Sequence, residues 1–149
     1  QNEYKKFSSS KDIFDLKTLD FLPQEKWDEL LKQMPLLFIR GEDSLARACL
    51  YGRPFVWHAY IQEENYQIVK VKALLEKLRP FFFFLHFSKI EKLYLVYNGS
   101  DGNLCEAIFD FLSDYENLTE GFFNFSRSLK KNGNLAFHLM TFISKNYII

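Results

Sequence analysis

Apolar and polar positions alternate in two rhythms along the first half of the chain. Trp27, Leu30, Leu31 and Met34 fall at i, i+3, i+4 and i+7, one face of a helix that Pro35 ends. Leu36-Leu37-Phe38-Ile39 is then uninterruptedly apolar, the mark of a short, fully buried strand. Arg40-Gly41-Glu42-Asp43-Ser44 breaks that run. Gly41 lets the chain reverse tightly, and Asp43 and Ser44 both suit a helix N-cap. Leu45, Ala48 and Cys49 resume at helical spacing to about Tyr51, and Gly52 occupies the favoured position just past a helix end. Pro54 to Tyr60 reads as a second strand, and Ile68, Val71, Leu75 and Leu78 predict a helix over 63–78.

The flanks are less regular. Residues 1–10 are polar and linker-like. Ile13, Phe14, Leu16, Leu19, Phe21 and Leu22 keep a poor period, from which a short strand near 18–22 is expected, stopped by Pro23. Phe81 to Leu85 fits either strand or helix, and Leu93 to Tyr97 either a strand or a helix's last turns. Asn98-Gly99-Ser100-Asp101-Gly102 is a firm break. Leu104, Ala107, Ile108, Phe111 and Leu112 then mark one amphipathic helix, and Leu118, Phe122, Phe125 and Leu129 another. Asn132-Gly133-Asn134 ends that one, and a last helix carries Ala136, Leu139, Met140, Ile143 and Tyr147.

Strand–helix alternation in the front half predicts an α/β fold with a parallel sheet and right-handed crossovers, followed by a mostly helical back half. The 149 residues suffice for one domain. Because the chain opens Gln-Asn-Glu-Tyr without an initiator Met, it is expected to be a piece of a longer protein. Nineteen basic and nineteen acidic residues leave no net charge, which argues against a broad footprint for nucleic acid or an anionic membrane. No apolar run is long enough to span a membrane, and no signal-peptide pattern opens the chain. Cys49 and Cys105 both fall among helical apolar positions and are expected to be buried thiols of a cytoplasmic protein. His58, His86 and His138 are widely spaced without a ligand partner at i+3 or i+4, so no metal site is expected. No glycine-rich dinucleotide or P-loop motif occurs.

The chemistry concentrates at the expected strand ends. A helix starting at residues 43–44 offers backbone N–H groups and a positive dipole end to an anion. Ser44 can join those N–H groups on a diphosphate, and Arg40 can pair with a phosphate in bidentate fashion. Tyr60 can donate its hydroxyl to a phosphate oxygen. Glu42 can accept sugar hydroxyls or orient a guanidinium. Phe21, Gln24 and Trp27 can form a base pocket by stacking and edge reading. Read without these roles, the same turn is an ordinary strand–helix junction with surface charges.

A resemblance favours the chemical reading. Arg40-Gly41-Glu42-Asp43-Ser44, Arg47-Ala48, and Gly52-Arg53-Pro54-Phe55-Val56-Trp57-His58-x-Tyr60-x-Gln62 resemble the bacterial arginine rhamnosyltransferases that modify elongation factor P. Phe21-Leu22-Pro23-Gln24-x-x-Trp27-Asp28-x-Leu30-Leu31 is similar to a second run of that family. Ile61 stands where the family has Pro, and Trp27 where it has Phe. The resemblance implies a Rossmann-like sheet with flanking helices, the C-terminal half of a two-domain glycosyltransferase of the GT-B type. By it, residues 1–149 hold the nucleotide-sugar, and the terminal helix at 134–149 reaches toward an N-terminal domain. Arg40, Asp43, Ser44, Tyr60, Phe21 and Gln24 match positions that bind dTDP-rhamnose, and Glu42 is the candidate catalytic group. The implied reaction is inverting transfer of rhamnose to an arginine of elongation factor P, without a cofactor. The general base, an Asp, is expected outside this chain. The competing class is a non-catalytic α/β interaction module.

Overall fold

The computed structural model describes residues 17–146. Helix α1 spans Gln24–Gln33. Strand β1 is Leu37–Arg40, helix α2 Glu42–Tyr51 and strand β2 Phe55–His58. Helix α3, Tyr66–Leu78, follows a 3-10 turn at Glu63–Asn65. The back half is helical: α4 Phe84–Tyr97, α5 Leu104–Ser113, α6 Tyr115–Lys131 and α7 Leu135–Asn146. The fold is α/β but mostly helical, and the sheet of the described residues has two parallel strands.

β1 and β2 pair Leu37 with Phe55, Phe38 with Val56, Ile39 with Trp57 and Arg40 with His58. Side chains alternate across a strand, so Leu37, Ile39, Phe55 and Trp57 share one face. All four are buried. Phe55 packs on Phe122 of α6 at 5.2 Å between ring centroids. Phe38, Val56 and His58 lie on the other face, where Tyr97 at the end of α4 meets Phe38 at 5.8 Å and His58 at 5.3 Å. Helix α2 packs on β1 and α6, and α4 on β2, α3 and α5. Tyr94 is buried inside α4, and its hydroxyl donates to the Phe55 carbonyl at 2.5 Å, tying the helix to the sheet. The core residues Val71, Leu75, Leu78, Ala107, Phe111, Leu118, Phe122 and Phe125 fall on the periodicities read from the sequence.

Several expectations change. Residues 17–23 form no strand, and Leu19 and Phe21 are exposed, the latter at 97%. The polar residues Lys17 and Asp20 interrupt that run, and neither described strand pairs with it. Phe81 closes a 3-10 turn at Arg79–Phe81, Phe82 and Phe83 are extended, Phe84 and Leu85 open α4, and Leu93–Tyr97 are the last turns of that helix. Cys105 is exposed, because it stands off the Ala107–Phe111 stripe that α5 buries. The expected linker at 1–10 and Tyr147 lie outside the described residues. No helix of the described residues is long and apolar enough to cross a membrane. Helix α7 buries none of its residues, and Leu135, Phe137, Met140 and Phe142 are each more than half exposed.

Candidate functional site

The turn after β1 differs from the expected cap. α2 begins at Glu42, with Gly41 as its N-cap and no side chain capping it. Asp43 and Ser44 therefore stand inside the first turn. Gly41 has φ +85° and ψ 161°, a region open essentially to glycine alone. It is this residue that turns the chain from strand to helix in one step. The first intrahelical bond runs from Leu45 N–H to the Gly41 carbonyl at 3.2 Å. The N–H groups of Glu42, Asp43 and Ser44 consequently have no acceptor within the helix, and the positive end of its dipole lies at the carboxyl end of the parallel strands.

Two side chains frame these donors. Tyr60, two residues beyond β2, lies over Gly41, its hydroxyl 3.2 Å from the point a Cβ on that glycine would occupy. The Arg40 guanidinium sits over the Tyr60 ring, 4.9 Å from its centroid. Arg40, Gly41, Glu42, Asp43, Ser44 and Tyr60 together line a shallow, open depression of about 310 Å³. A second depression of about 370 Å³, lined by Phe38, Ile39, Arg40, His58, Tyr97 and Leu104, adjoins it through Arg40. Five of the seven residues that the resemblance assigns to donor binding or catalysis thus meet in one place.

Glu42 has a partner that the sequence did not announce: its Oε1 lies 3.5 Å from Lys70 Nζ on α3. At 60% exposure of the Glu42 side chain this ion pair is worth little in stability and leaves the carboxylate free to change partners. Phe21 and Gln24 do not line the depression. Gln24 donates from Nε2 to Asp28 Oδ1 at 3.0 Å. Arg47 grips both oxygens of Asp28 at 2.6 and 2.7 Å, and Tyr51 donates to it at 3.0 Å, locking α1 onto α2. Burial pushes the Asp28 carboxyl up, but the hydrogen bonds from Tyr51 and Gln24 and the Arg47 charge outweigh it and hold it below the usual range. The Gln62 backbone N–H donates to Gln67 Oε1 at 3.1 Å. Trp27 is on the rim of α1, 37% exposed.

Away from the turn, Asp114 is buried at the α5–α6 junction. It is met by His86 Nδ1 at 2.6 Å, Lys89 Nζ at 3.3 Å and Asn117 Nδ2 at 2.8 Å. Burial raises its carboxyl, yet the hydrogen bonds from Asn117, His86 and Lys89 win and lower it. Cys49, half-buried on α2, has its thiol pushed up to about 12 by burial, which disfavours the thiolate.

Parallel strands opening at their carboxyl ends onto the amino end of a helix define an α/β domain suited to an anionic ligand. The chain belongs to one particular family: the family model described as Elongation-Factor P (EF-P) rhamnosyltransferase EarP matches residues 2–144. The chain is similar to a protein-arginine rhamnosyltransferase of Neisseria meningitidis serogroup B, with 44% identity over 64 residues. That match covers 43% of this chain and 17% of the relative. It is also similar to a protein-arginine rhamnosyltransferase of Pseudomonas aeruginosa, with 42% identity over 66 residues, 44% of this chain and 18% of that one. The matches therefore span less than a fifth of either relative's length. A solved structure from work on EarP-mediated arginine glycosylation of translation elongation factor EF-P shares the fold, with a TM-score of 0.73 at 24% identity. It aligns with 85% of this chain and 39% of its own length.

Proposed function

We propose that this chain is the donor-holding C-terminal half of a GT-B-type protein-arginine rhamnosyltransferase. It would bind dTDP-rhamnose for inverting transfer of rhamnose to an arginine of elongation factor P in the bacterial cytoplasm. The observation that carries the reading is the turn at 40–44. Three helix N–H groups without helical acceptors, a guanidinium and a phenol converge on one open depression at the carboxyl end of the strands.

In that reading the diphosphate sits against the N–H groups of Glu42, Asp43 and Ser44, with the Ser44 hydroxyl, Arg40 and Tyr60 as further donors. Negative charge grows on the diphosphate as the glycosidic bond breaks, so these donors act more strongly on the transition state than on the bound donor. Glu42, exposed on the same rim, meets the acceptor guanidinium or the cationic sugar, exchanging Lys70 for the new partner. Phe21 and Gln24 hold the thymine. The general base comes from residues outside this chain, and the apolar face of α7 docks toward that part of the protein.

Calorimetric titration with dTDP tests the donor reading. A demonstrably folded sample that gives no heat at millimolar dTDP overturns it, and leaves the interaction-module reading in its place. Arg40→Ala is expected to weaken binding by about 1.5–3 kcal/mol, the worth of a hydrogen bond to a charged group.

A further inference from the structure

Asn98 follows the last turn of α4 and is 5% exposed, yet its side-chain amide bonds chiefly to the sheet. Nδ2 donates to the Trp57 carbonyl at 2.8 Å, and Oδ1 accepts the Ala59 N–H at 2.8 Å. The second Nδ2 hydrogen goes to the Tyr94 carbonyl, also at 2.8 Å. In a parallel ladder, one residue of a neighbouring strand donates to the carbonyl before a given residue and accepts from the N–H after it. The Asn98 amide does both around His58, so one side chain stands where a third strand would be. On the opposite edge His58 pairs with Arg40, the last residue of β1, and β1 then turns away at Gly41. Past His58 the backbone is therefore held from the α4 side, and the next residue but one is Tyr60.

We propose that Asn98 is a positioning residue for the depression at 40–44: by fixing Ala59, its amide sets where Tyr60 leaves the sheet. Tyr60 in turn stands over Gly41 and under the Arg40 guanidinium, so two of the diphosphate donors depend on that exit. The inference rests on the donor reading of this site. A purely structural Asn98, serving only to close α4, would alter how much protein is folded and leave the folded site as it is.

The test uses the intact protein with Asn98→Leu and Asn98→Asp. The first removes both sheet bonds. The second keeps the acceptor for Ala59 and sets a carboxylate oxygen against two carbonyls. Ser126→Ala is the control, because the Ser126 hydroxyl is buried and donates to the Leu50 carbonyl at the far end of α2. Both Asn98 variants are expected to raise the dissociation constant for dTDP about tenfold, the equivalent of one hydrogen bond. The KM for dTDP-rhamnose rises with it, and the KM for the protein acceptor stays. Ser126→Ala lowers the unfolding temperature and moves neither constant. Unchanged dTDP affinity and donor KM in folded Asn98 variants overturn the proposal. If Asn98→Leu does not fold, Asn98→Asp decides by the same measure. If the wild-type protein binds no dTDP, it is the donor reading that fails. Hydrogen exchange then judges Asn98 alone. In Asn98→Leu, which removes the acceptor, faster exchange at Ala59 with Val56 still protected supports it, and unchanged Ala59 exchange refutes it.

Discussion

Replacing Gly41 by Ala isolates what the turn contributes. Two costs add. At φ +85° and ψ 161° an L side chain is strained, at about 1–3 kcal/mol. The new Cβ would also stand 3.2 Å from the Tyr60 hydroxyl, 3.5 Å from Cε2 and 3.6 Å from Cζ. The nearest of these is the far end of a half-exposed side chain, so Tyr60 yields by swinging outward rather than by distorting the core. The expected result is a fall in the unfolding midpoint of roughly 4–12 °C, taking about 4 °C per kcal/mol for a domain of this size. Arg40 loses its stacking partner with Tyr60, and dTDP affinity falls by more than the stability loss alone explains. Gly99→Ala separates the two effects. Gly99 also has a positive φ, +102°, but nothing lies within 4 Å of its would-be Cβ. It should lose stability and keep dTDP affinity. Differential scanning calorimetry with and without dTDP reads both quantities. A Gly41→Ala protein with wild-type midpoint and wild-type affinity would refute the assignment of this turn to the ligand.

Three further outcomes are expected. Asp114 has a folded-state pKa below its ordinary value of 3.8, so its pairing stabilises the fold above that value and is lost as pH falls through the lowered one. Asp114→Asn should then cost stability in urea at pH 7 and progressively less as pH falls below 3.8, and a loss that does not shrink on acidification would contradict the pairing. With a thiol reagent at pH 8, Cys105 should react at once and Cys49 only on unfolding, given exposure of the first and a thiol pKa of about 12 for the second. Glu42→Gln in the intact protein should lower kcat more than it weakens donor binding. A change confined to the donor KM would reassign Glu42 to the ribose.

The sequence made the backbone of the site legible because its signals are local. An apolar quartet, a glycine and a run of helix formers define a strand, a turn and a helix without reference to anything distant. The end of α2 at Gly52, in the left-handed conformation, was legible for the same reason. The cap was misread because Asp43 and Ser44 carry capping side chains, whereas one glycine at positive φ already completes the turn. Lys70 beside Glu42 and Asn98 beside Ala59 were hidden because each contact joins residues about 30 to 40 positions apart. The neighbourhood of Asn98 gave another message, a turn-forming Asn-Gly. The strand expected at 18–22 failed on a non-local requirement too: a strand exists only where another pairs with it.

The geometry of the depression bears on how such a turn can serve catalysis. Its donors are fixed by the sheet and by α2, yet the Glu42 rim and the Tyr60 ring are open to water. In bulk water two unit charges 4 Å apart interact by about 1 kcal/mol, against several when the surroundings are less polar. On the proposed donor reading, the preference of Arg40 and the three N–H groups for the transition state is weakened by water while the depression stays open. Strong transition-state stabilisation requires a second surface that excludes water from the same donors. The arrangement thus divides the labour. On the proposed donor reading, this chain would preposition the leaving group's partners, and a surface closing over the depression would turn that binding into rate.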